Sequence, residues 1–264
     1  MSQNKKCSEE HFKSPFQQTQ LMRSPILLSF FLILALMACQ PKTNSKVQFV
    51  LLPSPTTFTI SGESKLKAPD LESSFQSAKT HFTTGKLLSD FQDEFFNFSL
   101  DSGLQLAPEG YSLSISGQKI EIKGSTNAGL WYGLMTLGQL IQDAKDQNAF
   151  LPLCSIDDEP ALAYRAIHLD VKHHLEKKEY YYELMDRFAA QKINAVIVEI
   201  EDKLKYKLQP KVGASDAFSI EDWKAISDYA MNRNIRISPL VQGLGHASFI
   251  LKHKEYEPSR DDPS

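Results

Sequence analysis

Apolar and polar residues alternate most cleanly at residues 111–116, where Tyr111, Leu113 and Ile115 interleave with Ser112, Ser114 and Ser116. The same period returns at 119–123, with Ile120 and Ile122 between Lys119, Glu121 and Lys123. Gly117 and Gln118 separate the two runs, and alternating runs about a glycine-containing two-residue turn predict a β-hairpin. The period then changes. Ser125 or Thr126 suits a helix cap, and Leu130, Leu134, Leu137 and Ile141 follow at helical spacing. Gly129, Gly133 and Gly138 sit among them, small residues that let a helix approach a sheet closely. Upstream, 47–54 and 57–60 read as short strands broken by prolines, and 68–82 reads as a helix. Strands and a packed helix together predict a small α+β domain over 47–150.

The pattern changes again after Pro152. Residues 157–160 read as an acidic linker ending in Pro160. A strand is predicted at 166–171 and a helix at 177–192, with Tyr181, Leu184, Met185 and Phe188 on one stripe. A strongly apolar strand follows at 194–200. Ser219 and Asp222 form a capping-box pattern for a helix running to about Asn234. A third strand is predicted at 236–242, and Phe249 to His253 begins another helix. Strand–helix alternation predicts an α/β fold with a parallel sheet. The fold expected for 151–264 is the start of a (β/α)8 TIM barrel, about three βα units of it. An open doubly wound sheet is the alternative, but no glycine-rich phosphate loop follows the first strand. Polar residues gather at the carboxyl ends of the three strands: Asp170, then Glu201 and Asp202, then Gln242 and His246. In a barrel that end carries the active site.

The N-terminus reads as an address. Residues 26–38 are a short apolar run behind Met22 and Arg23, and the run ends in Leu36, Met37, Ala38 and Cys39. This resembles a bacterial lipobox, with Cys39 as the lipidated residue. A plain signal peptide with a chance cysteine is the other reading. The expectation is an upstream segment and signal peptide over 1–38, a tether over 39–46, and an exported lipoprotein. It would sit at the outer membrane, in the periplasm or on the cell surface, held to the membrane by its lipid.

Composition narrows the chemistry. Lys plus Arg is 29 and Asp plus Glu is 32, so the net charge of −3 argues against a nucleic-acid partner. Three cysteines, Cys7, Cys39 and Cys154, are too few for a disulfide framework. There is no CxxC or HExxH pattern, so no metal or other cofactor is expected. Adjacent His173 and His174 point apart on an extended chain.

Four segments in order carry a resemblance. They are 156–175, 194–202 with Tyr206, 239–246, and the hairpin and helix of 111–143. Together they resemble glycoside hydrolase family 20, the β-N-acetylhexosaminidases. The resemblance implies a carbohydrate substrate, removal of terminal N-acetylglucosamine or N-acetylgalactosamine, and a substrate-assisted retaining mechanism. In it the sugar's own acetamido oxygen attacks the anomeric carbon while a protein Glu protonates the leaving oxygen. Arg165 matches the arginine that holds sugar hydroxyls. Asp202 and His246 match a hydrogen-bonded pair that supports the general acid. Glu201 and Gln242 are further candidates for substrate contact, and Asp170 for a structural role. The sequence departs from the family at Lys172, His173 and His174 and at Glu199 to Asp202, which bears on the preferred sugar. The family's catalytic Asp-Glu pair falls at the end of a fourth strand. The chain is therefore expected to be the N-terminal part of a longer enzyme, inactive and poorly soluble alone. Another (β/α)8 glycosidase acting on N-acetylated sugars, or a non-catalytic carbohydrate-binding lipoprotein, are the alternatives.

Overall fold

The hairpin forms where the alternation places it. Strands β3 (Tyr111–Ser116) and β4 (Lys119–Gly124) pair antiparallel, with Gly117 at φ 61° in the turn between them. The structure, a computed structural model, describes residues 47–172, 174–243 and 245–261. The leader, Cys39 and the tether lie outside the described residues, as does His173.

Three further strands complete the sheet: β1 (Thr57–Lys67), β2 (Phe96–Leu100) and β5 (Phe150–Asp158). Their order is β1-β5-β3-β4-β2, antiparallel throughout except for the parallel pair of β2 with β4. Phe96, Phe98, Leu113, Ile115, Ile120, Ile122 and Ile156 form the buried face. Helices α1 (Ala68–Thr83) and α2 (Asn127–Asp146) supply the second layer. Thr126 caps α2, its hydroxyl accepting from Gly129 N at 3.2 Å. Trp131 of α2 stacks on Phe82 of α1, with ring centroids 4.3 Å apart. Close approach explains two of the glycines. A Cβ at Gly129 would fall 2.3 Å from the Gly110 carbonyl oxygen, and one at Gly133 would fall 2.5 Å from Ile122 Cγ2.

Two expectations change here. Residues 47–54 are not a strand. They run along α2, whose side chains satisfy their backbone: Gln147, Asp143 and Gln139 accept from the N–H groups of Gln48, Val50 and Leu52. The sheet also continues past the domain boundary expected at 150. β5 pairs with both β1 and β3 and ends at Asp158, so the first two residues of the predicted linker are strand.

The second sheet has three strands, β6 (Ala166–Asp170), β7 (Ala195–Glu199) and β8 (Arg236–Leu240). They are parallel, in chain order and in unbroken register. Helix α3 (Lys178–Ala190) links β6 to β7, and α4 (Ile220–Met231) links β7 to β8. The capping box at Ser219 forms: its hydroxyl accepts from Asp222 N, and Asp222 Oδ2 accepts from Ser219 N, both at 3.0 Å. A short helix, α5 (Ser248–Leu251), follows β8. Val196, Val198 and Ile237 enter one core with Tyr181 and Met185 of α3 and Ile226 of α4. That core is continuous with the first sheet's, because α2 packs on α3 as well. A helix with neighbours on two sides must be apolar over most of its surface, as the sequence of α2 is.

Candidate active site at the carboxyl ends of the parallel strands

Side chains alternate across a strand, and paired residues of neighbouring strands point to the same side. With Val196, Val198 and Ile237 packed toward the helices, the other face carries His168, Asp170, Glu199 and Ser238. Glu199 is the centre of this face. Its side chain is only 4% exposed, although it is flanked by Asp170 on β6 and Leu240 on β8. Three partners reach it. Lys172 Nζ donates to Oε1 at 2.9 Å, Gln242 Nε2 donates to Oε1 at 2.8 Å, and His168 Nε2 lies 3.1 Å from Oε2. Lys172 also donates to Asp170 Oδ2 at 3.1 Å. The Lys172 ammonium, with help from Gln242, holds the Glu199 carboxyl down at about 2.

Beyond β7 the chain turns sharply. Glu201 takes φ 42°, left-handed for a non-glycine residue, and is buried, with Oε1 shielded and unpaired among the described residues. Asp202 is mostly buried too. Lys252 Nζ lies 3.2 Å from its Oδ2, and Lys203 Nζ lies 3.9 Å from its Oδ1. His246 is exposed at φ 52°, and among the described residues no hydrogen bond joins it to Asp202. Lysines, not the histidine, take the carboxylate here.

Arg165 is at the other end. It precedes β6 and is about 16 Å from the carboxyl end of that strand, at ~3.3 Å per residue. Each guanidinium nitrogen makes one hydrogen bond: Nε donates to the Lys192 carbonyl at 2.7 Å, Nη1 to the Leu162 carbonyl at 2.7 Å and Nη2 to Glu109 at 2.6 Å. It also covers the Tyr132 ring at 5.4 Å. These contacts tie the strand's start to the first sheet.

A cavity of about 310 Å³ lies at that same end, lined by Glu109, Tyr111, Tyr132, Asp158, Arg165 and Lys192 among others. Its polar groups already serve one another. Lys192 Nζ donates to Asp158 Oδ2 at 2.8 Å and to Tyr111 OH at 2.9 Å, and the Tyr111 hydroxyl lies 2.6 Å from Thr136 Oγ1. Burial holds the Lys192 ammonium below its ordinary range, and burial with the Asp158 charge pushes Tyr111 well up. This is an inter-sheet lock; the mouth with its partly exposed Asp170, Lys172 and Gln242 is the better ligand site. Among the described residues no three His, Cys, Asp or Glu side chains are grouped to hold a metal.

The comparisons fall on the same architecture. Residues 50–159 match the family model for glycosyl hydrolase family 20, domain 2, which spans the first sheet and its helices. A beta-hexosaminidase of Porphyromonas gingivalis is 28% identical over 266 residues, covering 83% of this chain and 34% of that protein. Residues 50–159 thus match a family 20 domain, and the chain as a whole is similar to hexosaminidases of that family. A beta-hexosaminidase of Vibrio vulnificus is likewise 28% identical, covering 55% of this chain and 21% of that protein. The solved Streptomyces plicatus N-acetyl-beta-hexosaminidase superposes with a TM-score of 0.61 at 20% identity, covering 80% of this chain and 49% of that one. The chain thus spans a fifth to a third of these curated relatives' length and about half of that structure's. Its mixed α/β fold is the one those structures share.

Sequence reasoning named Gln242 and Asp170, noted Lys172 and Glu199 only as departures from the family pattern, and missed His168 and the cluster they form. The signal was present: Glu199 is a charge on the alternating face of an otherwise apolar run.

The carboxyls at Glu199 and Asp222 are both held at about 2, Asp222 chiefly by Lys178. A lowered folded-state value contributes stability above the unfolded value, and that stability is lost as pH falls through the folded one. The urea midpoint is therefore expected to drop as pH is lowered from 4.5 toward about 2. A Glu199→Gln, Asp222→Asn double variant should flatten that slope; an unchanged slope would contradict the assignment.

Proposed function

We propose that the whole protein is an exo-acting β-N-acetylhexosaminidase that removes terminal N-acetylglucosamine or N-acetylgalactosamine. The observation that carries this reading is the polar mouth at one end of the parallel strands, directly following a family 20 domain 2. The three parallel strands with their linking helices are read as the first units of a (β/α)8 barrel. Their chain-order neighbours and uniform direction support that reading. In the proposed reaction the substrate's acetamido oxygen displaces the leaving group at the anomeric carbon, and a carboxylic acid protonates the departing oxygen. Water then opens the cyclic intermediate with net retention. Asp202, fixed between Lys252 and Lys203, takes a positioning role beside the reacting sugar. The N-terminal run ending at Cys39 supports export and a lipid anchor, which would place the enzyme at a membrane surface facing external glycans.

The test is turnover of a chromogenic β-N-acetylglucosaminide and its galactosaminide counterpart. The full-length protein is expected to hydrolyse one or both, and residues 39–264 alone neither. Sugar binding without turnover by the full-length protein would overturn the enzyme reading in favour of a carbohydrate-binding protein.

A further inference from the structure

The arrangement around Glu199 leaves a specific remainder. An ammonium has three donors, and Lys172 spends two of them, on Glu199 Oε1 and Asp170 Oδ2. A side-chain amide offers both donors and an acceptor. Gln242 turns its Nε2 to Glu199, so its Oε1 faces away, and among the described residues that oxygen accepts no hydrogen bond. Glu199 itself has little left to offer, with both oxygens engaged and its side chain shielded. One buried carboxylate therefore fixes a neighbouring donor and acceptor, drawn from the carboxyl ends of the two outer strands, at the open mouth.

We propose that Glu199 is a positioning residue that aims Lys172 Nζ and Gln242 Oε1 at adjacent hydroxyls of a pyranose. The complementarity is chemical. A hydroxyl both donates and accepts, so one donor and one acceptor held side by side match a vicinal pair. A lone ammonium would match an anion equally well. Here the charges of Glu199 and Asp170 surround Lys172 and remove that preference. The strand pairing adds rigidity, because Asp170, Glu199 and Leu240 are register partners across all three strands. Orientation by a buried, fully bonded carboxylate is the kind of support that a precise ligand contact needs. The inference rests on the hexosaminidase reading for its substrate but not for its geometry.

The test uses the full-length protein, with N-acetylglucosamine and its 3-, 4- and 6-deoxy analogues as probes. Binding is read by calorimetry, and KM and kcat on the chromogenic glucosaminide. In the unmodified protein the two deoxy analogues that lack one or other of the adjacent hydroxyls should each bind about tenfold or more weakly than the parent, since a site built to bond a hydroxyl rejects its absence. In Lys172→Met and in Gln242→Leu that penalty should shrink, each variant losing it for its own hydroxyl. Glu199→Gln should raise KM about tenfold with kcat changed much less, the signature of lost ground-state binding. Glu199→Gln and Lys172→Met should be non-additive. If Glu199→Gln fails to fold, the two rim variants decide by the analogue ranking alone. A ranking identical in all proteins, with the unmodified enzyme active, would overturn the inference and leave the hexosaminidase reading standing. Sugar binding without hydrolysis would overturn that reading, and the analogue ranking would still decide this one.

Discussion

Lys192→Met is expected to destabilise the fold by about 3–5 kcal/mol, because it removes one partner of a buried ion pair. Lys192 follows α3 at φ 60°, and its side chain crosses to the first sheet. There it meets Asp158 at the end of β5 and Tyr111 at the start of β3. Both charged side chains are about nine-tenths buried. Methionine keeps the apolar stem and the same backbone cost of a left-handed residue, so the change isolates the charge. It leaves Asp158 a buried carboxylate without a cation: Oδ2 keeps only the Tyr111 hydroxyl at 3.1 Å, and Oδ1 keeps the Thr56 N–H at 3.1 Å and hydroxyl at 3.4 Å. Urea unfolding of the two proteins measures the difference. A second change, Asp158→Asn in the Lys192→Met background, should restore part of the loss, because a neutral amide costs less to bury than an unpaired carboxylate. A loss under about 1 kcal/mol for Lys192→Met would mean that the pair is solvated, as exposed pairs are. That would contradict the lock described here.

Gly129→Ala is the second large effect, expected at about 3 kcal/mol, the upper range for overpacking. The added methyl would lie 2.3 Å from the Gly110 carbonyl oxygen and 3.5 Å from Gly124 Cα. Both obstacles are backbone, so no side chain can rotate aside. Relief requires α2 to lift off the sheet at its capped end, which also strains the hydrogen bond from Gly129 N to Thr126. Gly138→Ala is the informative contrast. Its methyl would meet only the Phe75 ring, at 2.6 Å from Cζ, and Phe75 is partly buried and able to move. A melting temperature that falls clearly more for Gly129→Ala than for Gly138→Ala is the predicted result.

Much of the fold was legible where a single period dominated. The hairpin at 111–124, α2 with its Thr126 cap, the Ser219 capping box and the three parallel strands all announce themselves locally. What stayed hidden depends on partners distant in sequence. β5 lies between β1 and β3, with strand neighbours on both sides, and its closing pair of aspartates, followed by Glu159 and Pro160, mimics a linker. Residues 47–54 carry strand-like residues but find their hydrogen bonds on helix side chains. Lys192 sits in a four-residue turn and looks like any solvated lysine; nothing near it in sequence shows that Asp158 waits across the interface.

The site was legible in outline and misread in detail. The carboxyl ends of the strands do collect Asp170, Asp202 and Gln242. Arg165 belongs to the opposite end by simple strand arithmetic, since it precedes β6 and the mouth follows it. Asp202 answers to Lys252, which comes 50 residues later and gave no pattern to read. Glu199 was the most visible omission: a lone charge inside a buried strand must be paired, and its partners follow the two neighbouring strands, distant in sequence.

The central claim, carried by the proposed function, is that this chain helps build a site where the substrate's own acetamido group does the displacement. The most direct measurement is kcat/KM of the full-length protein on chromogenic 2-acetamido glycosides carrying zero, one, two or three fluorines on the acetyl group. Each fluorine weakens the carbonyl oxygen as a nucleophile while barely changing its size. The account predicts a steep, progressive fall in rate along the series. A flat series would mean that a protein carboxylate or water attacks instead, and would contradict it.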